Sequence, residues 1–194
     1  MLLNISKSEL HIKIVYYGPA LSGKTTNLQY IHSRVPPNLR GDLVSLKTRG
    51  DRTLFFDYMV LEVGTIAGMR PKFSLYTVPG QVYYTATRRL VLQGADGIVF
   101  VADSHPLQWE HNLRSFRDLR MQMADLGMDP RTVPLVVQFN KRDLPNAVPV
   151  QAMHSLLSLD GTSTFESIAT EGVGVLETLK AIMNRSIARV QEYL

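Results

Sequence analysis

Short continuous apolar runs alternate along the chain with stretches whose apolar residues recur every three or four positions. Residues 11–17 (HIKIVYY) read as a strand, followed by a glycine-bearing turn and a helix over residues 24–34. Residues 53–61 and 72–78 read as two strands close enough to form a hairpin. Residues 96–102 (DGIVFVA) and 133–139 (VPLVVQF) are apolar throughout, the pattern of parallel strands buried on both faces. Between them Leu113, Phe116, Leu119, Met123 and Leu126 keep helical spacing. A last helix from about residue 174 places Leu176, Leu179, Met183, Ile187 and Val190 on one face. Strands alternating with helices imply right-handed βαβ crossovers, hence an α/β fold of three layers. The expectation is a mostly parallel six- or seven-stranded sheet with helices on both faces, formed by one domain over residues 1–194. In such sheets ligands sit beyond the carboxyl ends of the strands.

Composition narrows the classes. Hydrophobic residues make up 45% and charged residues 20%, which excludes disordered and fibrous chains. Without cysteine there is no disulfide, cysteine-ligated zinc or thiol catalysis, which fits a cytoplasmic protein. Asn4, Lys7, Ser8 and Glu9 break the N-terminal apolar stretch, so no signal peptide is expected. No run spans a bilayer and neither end offers a lipidation signal, so no integral membrane segment is expected. The net charge of +4 comes from scattered residues without interleaved aromatics, which argues against nucleic acid. Arg114, Arg117 and Arg120 share a helical face, read as solvated, with an acidic partner or a membrane surface as the alternative.

Chemistry enters at three of the strand ends. Gly18-Pro19-Ala20-Leu21-Ser22-Gly23-Lys24-Thr25 fits G-x-x-x-x-G-K-[ST] between a strand and a helix, and Thr26 follows. Such a turn curls successive backbone N–H groups around phosphates, and the helix start adds partial positive charge. Lys24 would bridge β- and γ-phosphate oxygens, and the Thr25 hydroxyl would ligate Mg²⁺. Asn140-Lys141-Arg142-Asp143 fits N-K-x-D after the 133–139 strand. Its Asp143 would accept from guanine N1–H and the 2-amino group, which adenine lacks. Lys141 would lie over the base, and Asn140 would tie this loop to the phosphate turn. In the weaker Ala169-Thr170-Glu171-Gly172-Val173-Gly174 loop, the Ala169 N–H would meet the guanine carbonyl. In Thr77-Val78-Pro79-Gly80-Gln81, Gly80 would donate its N–H to a γ-phosphate and Gln81 would orient water. Threonine occupies position 77 where Ras-like GTPases place an aspartate. Asp57 interrupts an otherwise apolar strand; it is either buried and ligating or turned outward by strand alternation.

The runs KIVYYGP-x-L-S-G-K-T-T-N-L, D-R-T-L-F-F-D, L-Y-T-V-P-G-Q-V and N-K-R-D-L-P closely resemble the MglA-type bacterial polarity and motility GTPases. The resemblance covers nearly the whole chain and implies a Ras-like, P-loop GTPase fold that binds GTP and GDP with Mg²⁺. It also implies an arginine finger in cis at Arg52, a switch threonine closing on Mg²⁺ at Thr53, a stand-in carboxylate at Asp57 and the catalytic glutamine at Gln81. An MglB-type homodimeric activating protein, polarity and motility effectors, and a GTP state gathered at a cell pole belong to the same expectation. Ala20 stands where relatives usually carry glycine, which predicts slower hydrolysis. Thr77 and Ala20 together leave a second reading, a nucleotide-holding scaffold with little hydrolysis.

Overall fold

The computed structural model describes residues 2–4, 8–46, 56–65, 68–81 and 84–192. In chain order the elements are β1 (Leu2–Asn4), β2 (Glu9–Tyr17), α1 (Lys24–Arg34), β3 (Val44–Leu46), β4 (Phe56–Glu62), β5 (Arg70–Thr77) and α2 (Thr85–Leu92). Then come β6 (Gly97–Asp103), α3 (Trp109–Asp125), β7 (Leu135–Asn140), α4 (Val150–Leu157), β8 (Ser163–Ser167) and α5 (Val175–Gln191). Seven strands pair in the order β3-β4-β5-β2-β6-β7-β8, and the short β1 adds an eighth, antiparallel to the start of β2. β5, β2, β6, β7 and β8 run parallel; β3 and β4 form the antiparallel extension.

Burial explains this order. Every residue of β6 is buried, as a strand covered on both faces requires. Residues of β4 and β5 alternate between buried and half-open, so only one face of that hairpin carries a helix layer. On one side, Leu28 and Ile31 of α1 and Val175, Leu179 and Ile182 of α5 pack on Ile12, Ile14, Leu75 and Val99. On the other, α2, α3 and α4 bring Leu92, Phe116, Leu119, Met123 and Met153 against Val15, Ile98, Phe100 and Phe139. Each such side chain contributes about 1.5–3 kcal/mol on burial.

α5 departs from its expected face. Its inner residues are Val175, Thr178, Leu179, Ile182, Ser186 and Val190, while Leu176 stays 39% exposed. The inward polar groups are bonded: Thr178 Oγ1 donates to the Gly174 carbonyl (2.6 Å) and accepts from Gln138 Nε2 (3.1 Å). α2, α4, β3 and β8 have no clear sequence signal. β8, for example, reads Ser-Thr-Phe-Glu-Ser and pairs only with β7. The expected strand over 53–61 is present from Phe56, and its first three residues lie outside the described ones. Tyr17, Thr77, Asp103, Asn140 and Ser167 all end strands at one edge of the sheet. The motif residues meet at that edge.

Candidate functional site

The turn 18–23 leaves β2 and enters α1, whose first turn has neither a side-chain cap nor an acidic residue. The N–H groups of a helix start then remain for a ligand, with the helix dipole favouring an anion. Gly23 has φ 102°, and a Cβ there would come within 2.1 Å of Asn140 Nδ2, so this position requires glycine. Leu21 also takes a positive φ of 61°, costly for a branched side chain, and is 86% exposed at the mouth of the turn.

Lys24 is almost fully buried. Its Nζ donates to the carbonyls of Gly18 (2.9 Å) and Pro19 (2.6 Å). Among the described residues no carboxylate pairs with it. Burial pulls its pKa down to about 7; the Arg88 guanidinium pushes the same way and Asp57 opposes both. A buried amine that forms no ion pair among the described residues fits an incoming phosphate.

Asp57 is also buried, so the outward alternative is excluded. The β3–β4 register pairs it with Ser45, and the β4–β5 register continued by one residue sets it beside Thr77. Its Oδ2 accepts from Thr25 Oγ1 (2.5 Å) and Thr77 Oγ1 (2.9 Å), and its Oδ1 from Ser45 Oγ (2.6 Å). The Thr77 hydroxyl in turn accepts from the Asp57 N–H at 2.8 Å. A buried carboxylate therefore stands one strand over from position 77, hydrogen-bonded to the threonine there. Ser45, which sequence reasoning passed over, completes the group.

Lys24, Thr25, Ser45, Asp57, Thr77, Gly80 and Gln81 line one cavity of about 510 Å³ together with Ala20 and Leu21. Gly80 lies so close to the phosphate turn that a Cβ would sit 2.3 Å from the Ala20 N. Arg52 and Thr53 lie outside the described residues. No group of three or more His, Cys, Asp or Glu among the described residues could hold a metal by itself. A metal here would depend on hydroxyls, one carboxylate and the ligand's own oxygens, which suits a hard cation such as Mg²⁺.

At the end of β7, Asn140 Nδ2 donates to the Ser22 carbonyl (2.8 Å), which ties the two loops together as expected. Its Oδ1 accepts from Ser167 Oγ (3.0 Å) and from the Ala169 N–H (2.9 Å). The Ala169 donor expected to face guanine is thus engaged, and a base carbonyl would share it. Lys141, at φ 66°, sends its Nζ to Asp103 Oδ2 (2.5 Å). Asp103 is 1% exposed and was not foreseen, although it is the polar residue that closes an all-apolar strand. Asp143 is exposed and has no side-chain partner among the described residues. Thr26 is half-buried in the first turn of α1. In the phosphate turn, Ser22 Oγ is buried with no hydrogen-bond partner among the described residues.

No family model matches the chain. The mutual gliding-motility protein MglA of Myxococcus xanthus (strain DK1622) is 51% identical over 180 residues, which cover 93% of this chain and 92% of that protein. Among the described residues no helix is long and apolar enough to cross a membrane. With half of its residues shared over nearly the whole length of both proteins, and with the phosphate turn and N-K-x-D loop joined at one sheet edge, the chain belongs to the MglA family of small Ras-like, guanine-nucleotide-binding GTPases.

Proposed function

We propose that the 510 Å³ cavity holds the phosphates of GTP or GDP with Mg²⁺, that its residues carry out hydrolysis, and that the resulting switch serves bacterial polarity and motility. The reading rests above all on the meeting of a buried Lys24 that forms no ion pair among the described residues and a buried Asp57 bonded to Thr25. Lys24 gives its ammonium to the phosphate oxygens, and the 18–23 turn, Thr26 and Gly80 supply N–H groups. Thr25, Asp57 and Thr53 hold the metal, which when bound neutralises charge developing on the phosphoryl oxygens. Gln81 orients the attacking water, and Arg52 meets the charge of the transferring group. Asp143, Lys141, Asn140 and Ala169 select guanine. An acceptor that guanine covers and the wrong base would leave unpaired discriminates by about 10⁴ or more.

The relative's name ties it to gliding motility, and the same role is proposed for this chain. Residues 1–194 act as one domain whose GTP form gathers at a cell pole and engages motility effectors. An MglB-like homodimer accelerates hydrolysis by holding the Arg52 loop closed. Single-turnover GTP hydrolysis with and without such a dimer tests this. The native protein should be stimulated, and Arg52→Ala should lose about 10³–10⁵ of the stimulated rate while keeping its nucleotide affinity. Full stimulation in Arg52→Ala would remove the finger, and a native protein that never turns over bound GTP would overturn the reading as a whole.

A further inference from the structure

One set of polar groups centred on the buried Arg88 and the half-buried Asp118, not used in the reaction above, reaches the Gln81 loop from behind. Arg88 of α2 is 6% exposed. Its Nη1 donates to the main-chain carbonyl of Gln81 (2.6 Å), its Nη2 to Thr85 Oγ1 (3.0 Å) and its Nε to Asp118 Oδ2 on α3 (2.9 Å). That same Asp118 oxygen accepts from Gln122 Nε2 (2.9 Å) and from the Tyr17 hydroxyl. Tyr17 is the last residue of β2, directly before the phosphate turn. A single carboxylate oxygen thus joins the strand under the phosphates to α3 and, through the guanidinium, to the Gln81 main chain.

Stability alone accounts poorly for such a pair. Desolvating the guanidinium offsets much of its attraction to the half-buried Asp118, and apolar residues of similar volume often serve a fold equally well. What a guanidinium adds is a rigid planar fork that fixes two partners in one geometry. Holding the Gln81 carbonyl fixes the peptide plane beside the Cα from which the Gln81 side chain leaves for the cavity it lines. The N–H of Tyr84 also points to that carbonyl, at 3.3 Å.

We propose that Arg88 is a positioning residue for hydrolysis: it sets the direction of the Gln81 side chain by gripping the Gln81 carbonyl, with Asp118, Tyr17 and Gln122 as its anchor. The inference rests on the reading of Gln81 as the water-orienting residue. A displacement of about 1 Å in such a group costs about 10²-fold in rate. Arg88→Lys keeps the charge but has one nitrogen where three are used, so single-turnover hydrolysis of bound GTP should fall between about 10- and 100-fold. GDP dissociation should stay at the native rate. In the GDP-loaded protein, amide exchange over residues 84–92 should become faster.

The decisive measurement is the cycle of Gln81→Leu, Arg88→Lys and the double variant, read as single-turnover rates. Action through Gln81 requires the double variant to be no slower than Gln81→Leu alone. Asp118→Asn, which leaves the guanidinium in place, provides a milder second route: a smaller loss, also absorbed by Gln81→Leu. If Gln81→Leu hydrolyses at the native rate, the catalytic reading of Gln81 falls. If Gln81→Leu is slow but Arg88→Lys multiplies the defect in full, or if Arg88→Lys is as fast as the native protein, the positioning role is overturned while the reading of Gln81 stands.

Discussion

The protonation of Lys24 gives the most direct physical test of the phosphate site. In the nucleotide-free protein burial lowers its pKa to about 7, with Arg88 adding to the effect and Asp57 opposing it. At about pH 8 roughly 0.9 of the molecules would then hold a neutral lysine, and at about pH 6 roughly 0.1. Phosphate oxygens beside Nζ favour the ammonium, so binding must take up the missing proton. The expected uptake by Lys24 is larger at about pH 8 than at about pH 6. Affinity should fall about tenfold per pH unit above about 7, which is about 1.4 kcal/mol per unit. The stability of the nucleotide-free protein should run the other way. Its folded pKa lies below the unfolded value of 10.5, so the unfolded chain holds the proton across that window. Stability therefore rises as pH increases from about 7 to about 10.5, and is lowest, for this group, below that range. Calorimetric titration of GDP into nucleotide-free protein, in two buffers of different ionisation enthalpy, reads the uptake directly. Lys24→Arg cannot lose its charge and should take up nothing. Equal apparent enthalpies in the two buffers at about pH 8 would refute the lowered pKa of Lys24.

Three further outcomes follow from the same geometry. Asp143→Asn should favour xanthine over guanine nucleotides, because the amide donates where the carboxylate accepted; native GDP affinity with no xanthosine nucleotide binding would reject the base assignment. Thr25→Ala removes the hydroxyl 2.5 Å from Asp57, so its loss of nucleotide affinity should shrink as Mg²⁺ is raised, and a defect equal at every Mg²⁺ concentration would exclude Thr25 as a ligand. Asp57→Thr should impair Mg²⁺-dependent nucleotide retention, and adding Thr77→Asp should recover most of it; a double variant no better than the single one would show that the two positions are not interchangeable.

The phosphate turn and the N-K-x-D loop were legible because each is a contiguous run whose chemistry is set by local backbone shape. The helix at 24–34 and the apolar strands were legible for a related reason: their period comes from one-sided or two-sided burial, visible over six or more residues. Positions joined only by the fold left no such trace. Arg88 and Asp118 are thirty residues apart and sit on two helices packed side by side on one face of the sheet. Asp103 finds Lys141 because β6 and β7 pair in register. Ser45 faces Asp57 from a strand of three residues. In α5 the helical period was visible but its phase was not, since Thr178 and Ser186 are buried by virtue of partners the sequence does not name.

Position 77 shows how far a strict motif can mislead. Read along the chain, threonine there removes the carboxylate that Ras-like sites keep beside the metal, and so favours a nucleotide-holding scaffold. Read across the sheet, a carboxyl group lies beside that threonine. Antiparallel pairing of β4 with β5 puts Asp57 beside Thr77, and the threonine hydroxyl both accepts from the Asp57 N–H and donates to its carboxylate. A buried carboxylate is costly when unbonded, and hydrogen bonds to charged groups contribute about 1.5–3 kcal/mol each. Three hydroxyl donors, from Thr25, Ser45 and Thr77, are enough to keep this one in place. Such an exchange demands that β4 keep its register, because a slip of one residue would turn Asp57 to the opposite face of the sheet. The support of Asp57 is therefore a row of residues across three strands, and any variant that alters position 77 alone also changes that support.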